Sequence, residues 1–194
     1  MTPMDVLIVV ERFFLYWLAY SFAGWVWETG LSVVLRKRFE DRGMLNGPIC
    51  PIYGFGGLLV VVLLHDVNNP LSLFLSSGVL ACTLEYASSW AIEKLYHMRF
   101  WDYSGKPFNI NGRVCASNLL AFGVMGVFVV KVLKPFAFGL FAKIPPVWLD
   151  AISITLTTLL VADVAISAGV LTKIRGAAES VRADNTEAIT KAVR

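Results

Sequence analysis

The sequence predicts an all-α, polytopic membrane protein, built as a bundle of about five transmembrane helices. Its 194 residues are 57% apolar and 16% charged, with a mean hydropathy of +0.66, whereas a soluble globular protein is roughly 45–50% apolar. The apolar residues form blocks of about 20, the length that a membrane helix requires, and they do not alternate as outer-membrane strands do. These features exclude a soluble globular enzyme, a disordered tail and a disulfide scaffold.

Five blocks are long enough to be membrane spans, and charged or Gly/Pro-rich segments separate them. The second block is the shortest, and Gly54, Gly56 and Gly57 leave open whether it crosses the membrane or is a broken, re-entrant segment. Residues 1–171 are expected to form the helix bundle, and the polar, Ala-rich residues 172–194 a cytoplasmic tail. The expected spans are about residues 13–35, 51–64 (extending to near 67), 70–96, 114–132 and 147–171.

The basic residues indicate the direction of the helices. With five spans, 13 of the 17 Lys and Arg residues fall on one side of the membrane, and the remaining four are Arg12, Lys131, Lys134 and Lys143. Positively charged residues stay on the cytoplasmic side. We therefore expect the N-terminus outside and the C-terminus in the cytoplasm of a multi-pass protein.

The two cytoplasmic loops end in the same pattern, Asn-Gly-x-(Ile/Val)-Cys, at residues 46–50 and 111–115. Each pattern opens a membrane helix, and each follows a helix that contains an acid, Glu28 in the first and Glu85 in the third. Helix pairs 1–2 and 3–4 would then form a parallel repeat, as in some transporters. A shared local turn is the alternative, since Asn-Gly commonly forms turns.

Four acids lie inside the predicted spans: Glu28, Glu85, Glu93 and Asp163. An ionisable group in hydrocarbon costs at least about 2.5–3.5 kcal/mol, so it must face a cavity or a partner. Counted from the cytoplasmic ends, Glu28, Glu85 and Asp163 lie roughly 10–17 Å deep and would share one layer. This predicts a polar cavity, open to the cytoplasm, for a cation, a proton or a polar head group. The alternative is that each acid pairs locally and only fixes the packing.

The loop between the third and fourth helices, residues 97–113, is the densest polar stretch and mixes aromatic with basic residues. Such a mixture is typical of an interfacial anchor or of phosphate head-group binding. His97, Asp102 and Glu93 could combine as a metal-binding or an acid–base set. One His with scattered carboxylates is a weak metal signal, so no metal site is predicted. The chain lacks the G-x-x-x-x-G-K-[ST] phosphate loop, so it carries no ATPase of its own.

Two stretches within about residues 17–115 carry long motifs of unusual composition. The first stretch is residues 42–56, RGMLNGPICPIYGFG; the second comprises Leu84-Glu85-Tyr86, Ser89-Trp90, Glu93-Lys94-Leu95, His97, Trp101-Asp102-Tyr103 and residues 107–113, PFNINGR. Together they resemble a family of small bacterial membrane proteins, the putative ABC-transporter type IV or CmpB-type permease family. The resemblance implies a permease of the bacterial cytoplasmic (inner) membrane. Such a permease would work with a separate ATPase subunit, and five spans would then require a homodimer or a partner.

The leading hypothesis is a transport-related membrane protein, a permease, whose polar, acidic substrate or ion site opens to the cytoplasmic side. Two alternatives stay open: an intramembrane enzyme acting on a lipid or isoprenoid head group, and a structural or assembly subunit. The expected partners are membrane lipids, a second copy of the chain and an ATPase subunit; neither a cofactor nor nucleic acid is expected. The candidate substrate- or ion-binding residues are Glu28, Asn46, Tyr53, Glu85, Glu93, His97, Asp102, Asn111 and Arg113.

Overall fold

The computed structural model describes residues 2–39, 45–97 and 99–193, without the side chains of residues 36, 175 and 177–193. A π-helical segment, Val129–Leu133, joins the fourth helix to the fifth, so that Ala116–Phe141 is one continuous span. Within the described ranges the chain forms these α-helices: α1 (Pro3–Arg36), α2 (Pro51–Leu63), α3 (Pro70–Tyr96), α4 (Ala116–Phe128), α5 (Lys134–Phe141) and α6 (Pro146–Val193).

Among the described residues, four helical stretches are long and apolar enough to cross a membrane, and one further apolar helix is shorter. The shorter one is α2, which has 13 residues and rises only about 20 Å, against a hydrocarbon core of about 30 Å. Its glycines do not interrupt it. The chain is therefore a multi-pass membrane protein, and the expected five spans correspond to four long helices and one short one. The long stretches are Pro3–Leu35, Pro70–Tyr96, Ala116–Phe141 and Pro146–Ile174.

The third span has the predicted bounds, but the others begin or end elsewhere. The first helix starts at Pro3, ten residues before the expected span, because Thr2 and Asp5 form a capping box with hydrogen bonds of 2.7 and 3.2 Å. Such a box satisfies the free N–H groups of a first turn whether or not the turn is apolar. The last helix, α6, runs past residue 171 to Val193 without a break. The division into bundle and tail at residue 172 stays a prediction.

The bundle consists of two helical hairpins, α1 with α2 and α3 with α4, and α2 also contacts α3. The hairpin helices approach closely at glycines: a Cβ on Gly54 would lie 2.7 Å from the Trp17 carbonyl oxygen, and one on Gly78 would lie 2.6 Å from that of Leu119. Small residues at the interface are how membrane helices reach each other's backbones. We call the end where α1 and α3 finish and α2 and α4 begin the loop end of the bundle.

Candidate functional site

The carboxyl group of Glu28, on α1, is bound by the next helix. The Tyr53 hydroxyl on α2 donates a short hydrogen bond to Glu28 Oε1. The Tyr53 ring lies over Gly24, one turn before Glu28, where a Cβ would come within 2.7 Å of Tyr53 Cδ2. Glycine at position 24 therefore lets the ring approach α1, which brings its hydroxyl to the carboxylate.

The carboxyl group of Glu85, on α3, is also held by the helix that follows. Asn118 on α4 donates from Nδ2 to both Glu85 oxygens, at 2.8 and 3.1 Å, and the Tyr103 hydroxyl donates to Glu85 Oε1 at 3.2 Å. Glu85 is only 7% exposed. A buried acid of this kind is expected to be fully hydrogen-bonded, and α3, α4 and the loop between them together satisfy it.

The two carboxyl groups are connected through Tyr103, and we call them the Glu28–Glu85 pair. The charges of both act on the Tyr103 hydroxyl, which donates its hydrogen bond to Glu85. Burial raises the pKa of Tyr103, and the negative charge of Glu85 raises it further, so this hydroxyl keeps its proton and donates it in a hydrogen bond. Tyr53 connects the two hairpins, because its ring centroid lies 6.5 Å from that of Phe122 on α4.

The loop that carries Tyr103 folds back against the end of α3. The Tyr103 N–H donates to the Gly112 carbonyl at 2.7 Å, and Trp101 Nε1 donates to the Arg113 carbonyl at 3.0 Å. Asn111 and Gly112 both have positive φ, 53° and 67°, a conformation that Asn and Gly adopt with the least strain. The Asn-Gly pair therefore makes the turn that returns the loop toward the bundle.

Asp102 closes the turn of this loop and does not contact the Glu28–Glu85 pair. Its Oδ1 accepts from the Ser104 hydroxyl at 2.6 Å and from the Ser104 N–H at 3.0 Å. These hydrogen bonds hold the pKa of Asp102 below its usual range. His97 is exposed and ends α3 in a left-handed conformation, with φ 54°. Within the described residues, its ring has no hydrogen bond to Asp102 or Glu93.

Arg113 and Glu93 form a second polar group beside α3. Arg113 Nη2 lies 2.8 Å from Glu93 Oε2, and Nη1 donates to the Ser89 hydroxyl at 3.0 Å. The guanidinium also lies 5.6 Å from the centre of the Tyr86 ring, whose hydroxyl accepts from Asn111 Nδ2 at 2.9 Å. Three of the predicted site residues, Glu93, Asn111 and Arg113, therefore fix this loop against α3, because each has a partner within the group.

Asn46 joins the loop before α2 to α6. Asp163 Oδ1 accepts from the N–H of Asn46 at 2.9 Å and from its Nδ2 at 3.0 Å, while Oδ2 accepts from the Gly47 N–H at 2.8 Å. The Ser167 hydroxyl donates to the same carboxylate at 3.2 Å. The sequence predicts Asp163 in one layer with Glu28 and Glu85. In the structure, its carboxylate instead accepts the hydrogen bonds of the loop before α2.

Asp163→Asn is expected to lower the stability of the bundle by about 2 kcal/mol, since a hydrogen bond to a charged group contributes about 1.5–3 kcal/mol. The amide nitrogen of Asn would face one of the two backbone N–H donors, which would lose its acceptor. Thermal unfolding in detergent, followed by circular dichroism, measures the change. The control is Asp66→Asn, an acid whose side chain is 87% exposed; equal melting temperatures for the two variants would contradict the prediction.

The candidate list missed Asn118 and Tyr103, both of which bind Glu85. Tyr103 lies in the loop singled out for its aromatic residues, but no feature of the sequence connects it to α3. The repeated sequence pattern could have identified Asn118, because it is the third residue after Cys115, as the candidate Tyr53 is the third residue after Cys50. Both cysteines are N-cap residues, of α4 and α2. Within the described part of the chain, no group of three or more His, Cys, Asp or Glu residues is arranged to hold a metal ion.

The family comparison agrees with the sequence resemblance. A sequence profile of the family described as "Putative ABC-transporter type IV" matches residues 15–168, a range that includes most of α1, all of α2, α3 and α4, the Glu28–Glu85 pair and Asp163. No curated protein and no solved structure matches the chain. Since the matched range is well over half of its length, the chain belongs to the putative ABC-transporter type IV family.

Proposed function

We propose that the chain is the membrane-spanning component of a transport system, a permease, and that the Glu28–Glu85 pair binds the transported cation or a coupled proton. The observation that carries the proposal is that two carboxyl groups from different hairpins each accept hydrogen bonds inside the bundle, Glu28 from Tyr53 and Glu85 from Tyr103 and Asn118, and that the charges of both act on Tyr103. Acids inside membrane spans are costly, and where they occur they commonly belong to ion or proton pathways.

The proposed orientation has the N-terminus outside, with the loop end and the C-terminus on the cytoplasmic side of a bacterial inner membrane. Arg99 and Arg113 lie at the loop end, and Lys173 follows Asp163, which contacts a loop at that end. Positive residues concentrate on the cytoplasmic side. The Glu28–Glu85 pair would then open toward the cytoplasm, and residues 172–194 would extend into it as a helical tail.

We further infer that the two hairpins are a parallel repeat. In each hairpin, the acid of the first helix binds the third residue after the cysteine that caps the second helix: Tyr53 binds Glu28, and Asn118 binds Glu85. The close glycine contacts also correspond: Ser21 contacts Gly54 in the first hairpin, and Gly78 contacts Leu119 in the second. Ser21 and Gly78 stand at the same distance in sequence before their acids, and Gly54 and Leu119 at the same distance after their cap cysteines. A shared Asn-Gly turn, the alternative to a repeat, would not account for matching contacts between the helices at a distance from the two turns. The conformations of the two Asn-Gly turns differ, as positive φ is recorded at Asn111 and Gly112 but not at residues 46 and 47.

The proposed partners are a separate ATPase subunit, membrane lipids and a second copy of the chain. The chain has no phosphate-binding loop in its sequence, so ATP-driven transport would need a separate ATPase subunit. The exposed apolar side chains of α6, such as Val161 and Ile166, would face lipid or a second copy of the chain.

The proposal is tested by Glu85→Gln in proteoliposomes. Gln keeps the size of the side chain and an oxygen that accepts from Asn118, but it cannot exchange a proton or bind a cation by charge. We expect a folded protein whose dissipation of an imposed pH or Na⁺ gradient falls roughly tenfold or more, since the ionisable group itself is removed. Entrapped pH- and Na⁺-sensitive dyes report the flux, and Asp66→Asn is the exposed-acid control.

A wild-type protein that dissipates neither gradient would contradict the proposal, as would Glu85→Gln with unchanged flux. A structural role is the second candidate, favoured because Glu28 and Glu85 already have hydrogen-bond donors. It predicts instead that Glu85→Gln lowers the melting temperature and changes no flux. An enzyme acting on a lipid or isoprenoid head group has less support, because the guanidinium of Arg113, a group suited to bind a phosphate, is engaged by Glu93 and Ser89.

A further inference from the structure

The loop between α3 and α4 presents apolar side chains that no described part of the protein covers. Phe108 is 86% exposed, and Ile110, two residues later, is 59% exposed. Lys106 is exposed beside them, whereas residues 112–115, where the same loop ends, are buried. We call residues 105–110 the loop tip. The loop therefore has a buried base against α3 and a tip that faces outward.

The backbone at Phe108 is held in a conformation that an aromatic residue rarely adopts. Its φ is 52°, in the left-handed region, where the Cβ atom of an L-residue crowds the following carbonyl oxygen. Glycine would fit this position without strain, so the fold alone does not require a ring at position 108. Strain that is retained without any burial of the side chain in return is typical of functional positions.

The side chain of Asn109 fixes the turn around the strained residue. Its Nδ2 donates to the carbonyl oxygens of Ser104 and Lys106 at 3.1 and 2.9 Å. Its Oδ1 accepts from the Gly112 N–H at 3.0 Å. The Lys106 N–H in turn donates to the Tyr103 carbonyl at 2.8 Å. These hydrogen bonds hold the tip in one shape and keep the ring of residue 108 directed away from the protein.

The loop tip lies beside the start of a membrane span. The Tyr103 hydroxyl donates to Glu85, which is eleven residues before the end of α3, about 16 Å along the helix. The N–H of Ile110 donates to the Val114 carbonyl at 2.9 Å, two residues before α4 begins. The loop therefore folds back along α3 to the level where α4 starts, and does not extend away from the bundle.

The segment of α3 beside this loop has the residues of a membrane interface. Trp90 is 52% exposed, and the Lys94 ammonium lies 6.0 Å from the centre of its ring. Tryptophan is enriched where the hydrocarbon meets the head groups, and lysines near helix ends reach toward those head groups. Because Trp90 lies between Glu85 and the end of α3, the loop that packs along this segment is at the same boundary.

The charges of the loop leave its tip positive. Glu93 binds Arg99 and Arg113, and Asp102 Oδ1 lies 3.6 Å from Arg99 Nη1. Among the residues that the structure describes, no ion pair involves Lys106. The acids of the loop are therefore neutralised within it, while the ammonium group beside the exposed ring is available to an anion.

We infer that the loop tip binds anionic phospholipid: the Phe108 ring inserts into the membrane interface, and Lys106 contacts the phosphate head groups. An apolar side chain next to a cation matches the two layers of such a surface. A soluble partner fits the tip less well, because the tip lies beside the start of a span. The inference does not rest on the proposed transport, since a lipid site exists whatever the protein carries.

The inference is tested with a fluorophore at the loop tip. Phe108→Cys in the full chain is labelled with nitrobenzoxadiazole, whose emission shifts to shorter wavelength in apolar surroundings. The labelled chain is reconstituted into liposomes of phosphatidylcholine, with or without phosphatidylglycerol. We expect the shift, and quenching by lipids that carry a nitroxide on the acyl chain, both stronger with phosphatidylglycerol. Cys50 and Cys115 are buried, and labelled wild type gives the background of the native cysteines.

A label at an exposed acid in another loop is the positional control. Asp66→Cys replaces a side chain that is 87% exposed, in the loop between α2 and α3. Its label should stay accessible to iodide, a water-soluble quencher, in both kinds of liposome. Ile110→Cys provides a second label at the loop tip, which keeps the test available if Phe108→Cys does not fold.

Lys106→Gln in the labelled chain separates the contribution of charge from that of apolar contact. A basic residue near an anionic membrane surface strengthens binding by a factor of about five. The preference for liposomes with phosphatidylglycerol should therefore fall roughly fivefold, while the weaker insertion into phosphatidylcholine remains. Added salt should act in the same direction, because it screens the charge. Lys143→Gln, an exposed lysine at the opposite end of the bundle, should leave the preference unchanged.

Three outcomes would overturn the inference. A tip label that stays accessible to water in both kinds of liposome would leave the tip to a soluble partner. A label that is shielded from water but not quenched by the nitroxide lipids would mean that a second copy of the chain covers it. Equal insertion with and without phosphatidylglycerol would mean an apolar anchor without a phosphate site. None of these results depends on the flux measured for Glu85→Gln, so the two proposals fail separately.

Discussion

Gly54→Ala is expected to destabilise the protein by about 2 kcal/mol, within the range of roughly 1–3 kcal/mol typical of overpacking. The added Cβ would lie 2.7 Å from the Trp17 carbonyl oxygen, a backbone atom of α1. A backbone atom cannot rotate away as a side chain can, so α1 and α2 must separate. Their separation would also move Tyr53 away from Glu28. Thermal unfolding in detergent measures the loss, and Tyr53 accessibility to iodination reports the movement.

The matched control is Gly30→Ala on α1, where a Cβ would meet nothing within 4 Å. Alanine there should leave the melting temperature unchanged or raise it, because Ala is favoured over Gly in a helix by about 0.5–1 kcal/mol. Gly123→Ala should behave as Gly54→Ala does, since its Cβ would lie 2.8 Å from the Phe74 carbonyl oxygen in the other hairpin. Equal stability of the Gly54 and Gly30 variants would show that the hairpins are not packed this closely.

Arg113→Met is expected to lower the free energy of unfolding by about 2 kcal/mol, within the roughly 1.5–3 kcal/mol that a hydrogen bond to a charged group contributes. The Arg113 side chain is only 10% exposed, and its guanidinium binds Glu93 and Ser89. Met retains the apolar stem but leaves the Ser89 hydroxyl without its partner. Denaturant or thermal unfolding in detergent gives the change in free energy.

Arg99→Met is the control, because Arg99 binds the same oxygen of Glu93 at 3.1 Å with a side chain that is 31% exposed. Water and salt screen such a pair, so its loss should cost about 1 kcal/mol or less. Arg113→Lys should recover only part of the stability, since an ammonium group cannot bind Glu93 and Ser89 while stacking on Tyr86 as a planar guanidinium does. If Arg99→Met costs as much as Arg113→Met, burial is not what makes Arg113 important.

Parts of the fold were predictable because the signals that define them are local in the sequence. The third span was predicted at its observed bounds, Pro70–Tyr96, where Asn69 caps the first turn with hydrogen bonds to the N–H groups of Leu71 and Ser72. The fourth span was predicted too short, at 114–132, because Lys131 and Lys134 interrupt the apolar run. The helix nevertheless continues through the π-helical segment to Phe141, and Lys134 lies over the Phe138 ring.

The candidate site was predictable only in part. Depth along the helices selects Glu28 and Glu85, whose carboxyl groups accept hydrogen bonds from Tyr53 and from Asn118 and Tyr103. Depth alone gave Asp163 the same role, but which way an acid points depends on the rotation of its helix within the bundle. The rotation of α6 turns Asp163 toward Asn46, 117 residues away in the chain.

The sequence by itself determined that this is an all-helical membrane protein, which blocks of it are helices, and to which family it belongs, because these follow from composition, local caps and motifs. Only the tertiary structure decided which polar groups are partners. Asn118 and Tyr103 reach Glu85, and Arg113 reaches Glu93, through the relative rotation and depth of elements that are distant in sequence. The rotation and depth of the helices are set by close packing at a few small residues. The amino-acid sequence alone does not give the distances between side chains on different helices.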